Sequence, residues 1–447
     1  MKNRVFGFFL LLSFAVTATA QKAQPARVDP TEANLRRTIE YLASDKLEGR
    51  RAGEPGATLA AKYIAQQFAK IKLKPGVAGA NGKPSYLQPF SFTPVRDPHG
   101  GISADESNTP AKRYDASNII GILAGHDPVL KNEAIVIGAH YDHLGHGGSG
   151  SLAANSTEIH HGADDNASGV AAIIELARKF AHVWNRRTLI FIAFSGEEEG
   201  LFGSSFYVNN PVFPLDKTIA MINLDMVGRL NDKKLTIGGI GTASEWKRLV
   251  ETRAACVTPI DAIALKPACW VQPFQLQLNE DGFGPSDHSS FYGKKIPVLF
   301  FFTGTHNDYH KPTDTADKIN SAGEYEVVSY IVSIAEGIDE TLTRPTYTVA
   351  KSSNTGGRTG FKISLGTIPN YADSTDGLLL DGVRDGSAAA KAGVKAGDKV
   401  VKLAGRDIRN VYDYTDTLVD MKPGEEYEMT VLRGTERLTL KIVPVAR

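Results

Sequence analysis

Several strand-like apolar runs in the chain end at, or just before, a residue that can bind a metal ion. The clearest are AIVIGAH, TLIFIAF and TIAMINLD, which are rich in β-branched and aromatic residues. Runs of this length and composition are typical of strands that are buried on both faces of a parallel sheet. The pattern therefore predicts an α/β fold in which the carboxyl ends of neighbouring strands meet at one mouth.

Five residues with metal-binding side chains follow these runs, and we predict that they form a single site. In chain order they are His140, Asp165, Glu198, Asp225 and His310. One aspartate or histidine after a strand is usually explained by capping or packing, whereas five at converging strand ends predict a common set of ligands. Mixed nitrogen and oxygen ligands suit zinc, and cobalt or manganese could replace it in vitro.

The polar turn GADDNASG, which opens a helix pattern, contains the predicted bridging ligand. Two cations within about 4 Å repel each other, and a carboxylate shared between them, here that of Asp165, relieves the repulsion. Asp164, Asp165 and Asn166 could instead be ordinary turn and N-cap residues ahead of the helix.

Two further acidic residues could act beside the ligands. Asp142 follows His140 by two positions, on the same side of an extended chain, so it could orient the imidazole. In SGEEEG, Glu198 can bind a metal ion while Glu197 accepts a proton from the attacking water. A solvated acidic loop is the alternative interpretation of this segment.

The combined motifs resemble those of the co-catalytic zinc aminopeptidases of metallopeptidase family 28. They are GAHYDHLG, GADDNASG, SGEEEGLFGS, NLDMVG, SDHSSFY and DYHKPTDT, and the resemblance covers roughly residues 30 to 345. It implies an α/β zinc-exopeptidase fold with a mixed, mostly parallel central sheet flanked by helices. It also implies substrates that are peptides with a free N-terminus.

The resemblance further implies two zinc ions that share one carboxylate. One ion would be held by His140 and Asp225, and the other by Glu198 and His310. Asp165 would bridge them, and the peptide bond that follows Asp165 would be cis.

Other positions receive roles from the same motifs. Glu197 would be the general base, and Tyr309 would help to stabilise the tetrahedral intermediate. Asp287 and His288, in SDHSSFY, are expected to support the site without binding zinc.

The sequence departs from the family pattern in two places. Glu199 completes a triple glutamate where relatives often have an apolar residue, so the assignment of Glu197 and Glu198 depends on counting back from GLFGS. The segment between the first two motifs contains His146, His160 and His161, and His143 lies just before it, near the end of the first motif. We expect these histidines to form a flexible rim, although they could also recruit metal.

The N-terminal residues have the pattern of a secretory signal peptide. Residues 1 to 20 begin with MKNR, continue through GFFLLLSFAV and end with Ala-Thr-Ala, which predicts cleavage before Gln21. We therefore expect an exported protein, periplasmic or extracellular. The apolar run is too short for a stable membrane span, and no other run is long enough.

Charge and cysteine content limit the possible partners. Lys+Arg and Asp+Glu both number 50, so the formal charge is zero and no nucleic-acid partner is expected. Cys256 and Cys269 could form a disulfide in an oxidising compartment, or remain two buried thiols.

A change of composition near TRPTYTVAKSSNTGGRTG predicts a catalytic domain at residues 21–345, a linker at 346–358 and a small β-rich domain at 359–447. The segment GLLLDGVRDGSAAAKAGVKAGDKVVKLAG resembles the PDZ domains of bacterial periplasmic proteases. It implies a groove for a C-terminal peptide, with a carboxylate-binding loop at Phe361 to Gly366. The alternative is a PDZ fold kept for stability, with an empty groove.

Two other functions remain open at this stage. A glutaminyl cyclase would share the first fold but typically uses one zinc ion, and the complete ligand set argues against it. A catalytically silent protein that works through the PDZ groove is the second, and the intact Glu197 argues against that.

Overall fold

A computed structural model describes most of the chain. The described residues are 30–79, 82–93, 112–148, 151–153, 156–255, 257, 260, 274–350, 363–369, 376–383, 386–395, 397–409 and 411–446. The predicted signal peptide, both cysteines and most of the predicted linker lie outside these ranges.

The helices of the described residues are α1 (Pro30–Leu42), α2 (Pro55–Ile71), α3 (Gly169–Phe180), α4 (Phe202–Asn209), α5 (Trp246–Ala254), α6 (His288–Tyr292), α7 (Ser321–Glu340), α8 (Ala388–Lys391) and α9 (Val411–Asp420). The strands of the first domain are β1 (Lys74–Pro75), β2 (Val77–Ala78), β3 (Pro84–Ser85), β4 (Leu87–Phe92), β5 (Tyr114–Leu123), β6 (Ala134–His140), β7 (Thr188–Phe194), β8 (Thr218–Leu224), β9 (Lys234–Gly238), β10 (Gln275–Leu278) and β11 (Val298–Phe302). Those of the second are β12 (Ile363–Ser364), β13 (Thr367–Pro369), β14 (Leu378–Val383), β15 (Lys399–Leu403), β16 (Arg406–Asp407), β17 (Tyr427–Arg433), β18 (Glu436–Ile442) and β19 (Val445–Ala446).

A mixed sheet forms the centre of the first domain. Its strand order is β1-β5-β7-β6-β8-β11-β9-β10, and β4 pairs with β5. The central strands β7, β6, β8 and β11 are parallel, whereas β5 and β9 join them in antiparallel orientation. The α/β fold with a mixed sheet is thus confirmed, and four strands end at the same edge.

The central strands are apolar because both of their faces are covered. Every residue of β6, β7 and β8 is buried. Successive side chains point to opposite faces, so Ile135 and Ile137 pack towards α1, α3 and α7, whereas Val136 packs towards α4 and α6. Burial of each such side chain stabilises the fold by about 1.5–3 kcal/mol.

The second domain has a hydrophobic core of its own. A sheet in the order β13-β14-β15-β17-β18 packs with α8 and α9 around Leu380, Val400 and Met429. Among the described residues, every helix of either domain is too short or too polar to cross a lipid bilayer.

Candidate active site

The predicted ligands lie at the shared carboxyl edge of the parallel strands. His140 is the last residue of β6, and Asp225 follows β8 directly. Glu198 lies in the loop after β7, and His310 lies in the loop after β11. Asp165 lies in the turn Ala163–Ser168, which directly precedes α3 and has non-helical backbone angles at Asp165 and Asn166. The topology therefore brings five residues that are distant in sequence to one mouth.

The first group of side chains is centred on His140. Its Nε2 lies 3.3 Å from Asp225 Oδ1, 3.4 Å from Asp165 Oδ1 and 4.0 Å from Glu197 Oε2. On the other side of the ring, Nδ1 lies 3.2 Å from the backbone carbonyl oxygen of Asp142. A carbonyl oxygen can only accept, so Nδ1 donates and Nε2 is the atom available to a metal ion.

The second group is centred on His310. Its Nε2 lies 3.2 Å from Asp165 Oδ2 and 3.2 Å from Glu198 Oε2. Asp165 thus presents one carboxylate oxygen to each histidine. This is the arrangement expected of a bridging ligand.

The spacing of the donor atoms fits zinc. Two atoms bound to one tetrahedral zinc ion at 2.0–2.1 Å lie about 3.3–3.4 Å apart. The histidine–carboxylate separations at His140 and His310, 3.2–3.4 Å, match this edge length. Several largely buried carboxylates also need positive charge nearby. The residues present therefore fit a pair of zinc positions that share Asp165.

The pKa values of the two adjacent glutamates are shifted in opposite directions by burial and by neighbouring charges. Burial raises the pKa of Glu197 well above its usual range, an effect that His140 opposes and that Glu198 and Asp225 strengthen. Burial acts upward on Glu198 too, but His310 and His143 outweigh it and lower its pKa to about 2. The two adjacent carboxyl groups thus differ in ionisation: Glu198 favours the anionic form and Glu197 the protonated form.

Asp142 contacts the site differently from the sequence-based expectation. Its carboxylate Oδ1 is 3.9 Å from His140 Nδ1, so the backbone carbonyl is the closer partner of the imidazole. The same Oδ1 accepts a hydrogen bond from the backbone N–H of Glu197, at 3.3 Å. Burial raises the pKa of Asp142 to about 7, although His140 lowers it. The side chain therefore anchors the loop that carries the proposed base.

Two buried residues that the sequence analysis did not single out hold the ligand-bearing turns. The Arg50 side chain donates to the backbone carbonyls of Tyr141 and Gly162, each at 2.9 Å, next to the turns of His140 and Asp165. Asp314 Oδ2 accepts the backbone N–H groups of Asp164 and Asp165 at 2.9 and 3.1 Å. Asp314 lies in the motif DYHKPTDT, which was the available signal, whereas Arg50 lies in the N-terminal segment LEGRRAG, within the range of the resemblance. The Asp165–Asn166 peptide bond is cis, as expected.

The remaining predicted residues also lie in or beside the site. Tyr309 stacks on His310 with ring centroids 3.9 Å apart. Asp287 is fully buried, and burial raises its pKa to about 7, while His140 lowers it. His288 stacks on Phe300 at 4.5 Å, and burial lowers its pKa to about 3, so it packs as a neutral ring.

The expectation of a histidine rim is correct for only part of the segment. His146 is exposed and His161 is half-buried, but His143 and His160 are fully buried. His143 Nδ1 lies 2.7 Å from Glu198 Oε1. The Gly- and Ser-rich composition of the segment suggested mobility and did not reveal this contact.

Comparisons with known proteins agree with the geometry. Residues 118–335 match the family model described as Peptidase family M28, and residues 366–443 match a PDZ domain model. The uncharacterized protein YfbL of Escherichia coli is 24% identical over 369 residues, which is 75% of this chain and 98% of that protein. Aminopeptidase YwaD of Bacillus subtilis is 28% identical over 214 residues, or 46% of this chain and 41% of that protein.

Solved structures agree at the level of the fold. A leucine aminopeptidase precursor from Bacteroides thetaiotaomicron superposes with a TM-score of 0.50 at 17% identity, covering 68% of this chain and 96% of that one. The chain therefore carries a peptidase family M28 domain, followed by a PDZ domain.

Proposed function

We propose that this chain is a two-zinc aminopeptidase that removes N-terminal residues from peptides. The observation that carries the proposal is the Asp165 carboxylate, whose two oxygens lie against His140 and His310. The match to a peptidase family and the likeness to aminopeptidase YwaD support the reaction class.

The ligands divide between two zinc positions. His140 and Asp225 would hold one ion, Glu198 and His310 the other, and Asp165 would bridge them. When bound, the ions would supply a Lewis acid for the scissile carbonyl and a water molecule whose pKa is about 7.

The other side chains handle the proton and the substrate. Glu197 takes a proton from the attacking water and returns it to the leaving amine, a role that suits a carboxyl group with a raised pKa. The Tyr309 hydroxyl, beside His310, is placed to donate to the negative charge that develops on the carbonyl oxygen. The surrounding carboxylates favour a free α-amino group on the substrate, and hence cleavage after its first residue.

We also propose that the PDZ domain binds the C-terminus of a peptide. Among the described residues β13 pairs only with β14, so its other edge is available to an added strand. Thr367 Oγ1 on β13 lies 2.6 Å from Tyr414 Oη on α9, so these two elements lie side by side as the walls of a groove would. Of the predicted carboxylate-binding loop, Phe361 to Gly366, the last four residues are described, and Gly366 has a φ of +76°.

The aminopeptidase proposal predicts which peptides react. The purified protein is incubated with zinc and a mixture of free and N-acetylated peptides, some of which begin with Gln, and products are identified by mass spectrometry. We expect stepwise loss of N-terminal residues from the free peptides alone. Glu197→Gln should retain zinc yet lower kcat by about 10²–10⁴-fold, because no group takes the proton.

The other results each contradict part of the proposal. Loss of ammonia from Gln peptides would indicate a cyclase, and no reaction with zinc bound would indicate a binding protein. Unchanged turnover by Glu197→Gln would remove Glu197 as the base.

The shared carboxylate predicts a coupled effect of metal on stability. After removal of metal with a chelator, zinc should raise the free energy of unfolding, by about 2.7 kcal/mol per site at 100 times Kd. Asp165→Ala should lose most of this gain, because the residue serves both positions, and magnesium should give little, because it prefers octahedral oxygen ligands. Binding of a single zinc ion per chain, or an undiminished gain in Asp165→Ala, would contradict the two-zinc site.

The groove predicts a dependence on peptide length and C-terminus. Removal of residues 351–447 should leave cleavage of tripeptides unchanged, because the ligands all precede residue 346 and residues 346–350, which bond to Glu245, Gly241 and Tyr292 of the first domain, are kept. The full chain should cleave longer peptides that have a free C-terminal carboxylate with a lower KM than their C-terminal amides. The truncated chain should have the same KM for both. Equal KM values for acid and amide in the full chain would argue for an empty groove.

Export remains our proposal on the basis of residues 1 to 20, which lie outside the described structure. We expect the protein isolated from its native cells to begin at Gln21, because signal peptidase cleaves after small residues such as those of Ala-Thr-Ala. N-terminal sequencing checks this, and an intact Met1 on the isolated protein would contradict it.

A further inference from the structure

His143 is a buried histidine outside the five proposed ligands, although its side chain lies with those of Asp165 and Glu198 in a group that could hold a metal ion. It follows the ligand His140 by three residues, and its side chain is fully buried. Its Nδ1 lies 2.7 Å from Glu198 Oε1, whereas the other oxygen of the same carboxylate, Oε2, lies 3.2 Å from His310 Nε2. Glu198 therefore faces His310 with one oxygen and His143 with the other.

The distances separate a ligand from a hydrogen-bond donor. Pairs of atoms bound to the same tetrahedral zinc ion lie about 3.3–3.4 Å apart. The separation of 2.7 Å between His143 Nδ1 and Glu198 Oε1 is well short of that and is the length of a charge-assisted N–H···O hydrogen bond. His143 Nδ1 is also 3.8 Å from Asp165 Oδ2, which is beyond the tetrahedral edge.

The tautomer of His143 agrees with donation from Nδ1. Its Nε2 is buried and has no hydrogen-bond partner among the described residues. A proton on Nε2 would leave a buried donor unsatisfied, whereas a proton on Nδ1 meets the carboxylate.

The position of the ring is fixed by its surroundings. Gly162 begins the turn that carries Asp165, and it has a φ of +57°. A Cβ added at Gly162 would lie 2.6 Å from Cγ and Cδ2 of His143, so the ring packs directly against the backbone of this turn. The backbone N–H of His143 donates to the carbonyl of Arg50 at 3.3 Å. The imidazole is therefore held between two segments that also position ligands.

We propose that His143 is a positioning residue for the second zinc position, acting through Glu198. By donating to Oε1 it fixes the carboxylate so that Oε2 points at the site shared with His310 and Asp165. Glu198 lies on a loop and has several rotatable bonds, so ordering its side chain in advance removes an entropy loss from metal binding. The inference builds on the two-zinc function proposed above.

The test compares two substitutions of His143 by amide residues, which differ in the position of the side-chain N–H donor. An asparagine amide nitrogen lies close to the place of imidazole Nδ1, whereas a glutamine amide nitrogen lies close to that of Nε2. His143→Asn should therefore keep the hydrogen bond to Glu198, and His143→Gln should lose it while remaining polar and of similar volume. His146→Gln, in the exposed part of the same segment, is the matched control.

The readout is zinc affinity, measured on the full chain by competition with a chromophoric chelator. We expect His143→Gln to weaken one of the two zinc ions by about 10–100-fold, which is typical for loss of a partner of a metal ligand. His143→Asn and His146→Gln should bind both ions as the wild type does. Tryptophan fluorescence reports whether each variant is folded, because all three tryptophans lie in the first domain.

Two results would overturn the inference. If His143→Asn loses as much affinity as His143→Gln, His143 is a metal ligand, and the visible absorption spectrum of the cobalt-substituted protein would change with it. If neither variant loses affinity, the hydrogen bond has no role in metal binding. A wild-type protein that binds one zinc ion would refute the two-zinc function without testing the role of His143. In that case the affinity for the single ion should still fall in His143→Gln and stay unchanged in His143→Asn.

Discussion

The site depends on the placement of one buried carboxylate, that of Asp165. Its two oxygens lie against His140, at the end of β6, and His310, in the loop after β11. Although burial opposes ionisation, these histidines hold its pKa well below the usual range. The orientation of this carboxylate must be set by residues other than the two histidines. The side chain of Asp314 contributes by accepting hydrogen bonds from the backbone N–H groups of Asp164 and Asp165. In the proposed two-zinc site, the spacing of the two metal positions would follow from this single residue.

The remaining acids show why so many carboxyl groups can share one mouth. Asp165 and Glu198, each of which contacts two histidines within 3.4 Å, have lowered pKa values. Those that lack such close contact, such as Glu197 and Asp287, have raised ones, chiefly through burial. Like charges in a low-dielectric site cannot all be ionised, so the surroundings separate the anionic ligands from the proton carriers. The different roles that we propose for the adjacent glutamates thus come from their neighbours rather than from their own chemistry.

The sequence predicts those features that depend on local pattern. Apolar runs reveal β6, β7 and β8 because burial on both faces demands apolar residues throughout, and their ends locate His140 and Asp225. The antiparallel pairing of β5 and β9 leaves no comparable local signal, because it depends on contacts between distant segments. The orientation of the Asp142 side chain likewise depends on its contact with the backbone N–H of Glu197, a distant segment that the local pattern does not record.

The burial of His143 was missed for a related reason. Its neighbours are rich in glycine, which is as common in mobile rims as in backbones that must pack closely. Gly162, which directly follows the segment, has no side chain and so allows the imidazole of His143 to lie against the turn. No pattern in the segment distinguishes a mobile glycine-rich rim from a closely packed backbone. Arg50, in LEGRRAG, is a charged residue whose burial the local sequence does not explain. Its burial is explained by the backbone carbonyl groups of Tyr141 and Gly162, to which its side chain donates.

The third glutamate shows how the same segment avoids self-repulsion. Glu197 faces His140 and Glu198 faces His310, while Glu199 turns away to the guanidinium of Arg51, at 2.9 Å. Burial raises the pKa of Glu199 and Arg51 opposes it, so this carboxyl group is compensated without using a histidine of the site. Three consecutive carboxyl groups can be tolerated because Glu198 contacts histidines, Glu199 pairs with Arg51, and burial favours the protonated form of Glu197. The pairing of Arg51 with Glu199 also links the N-terminal LEGRRAG segment to the loop after β7, which places that segment beside the ligands it helps to hold.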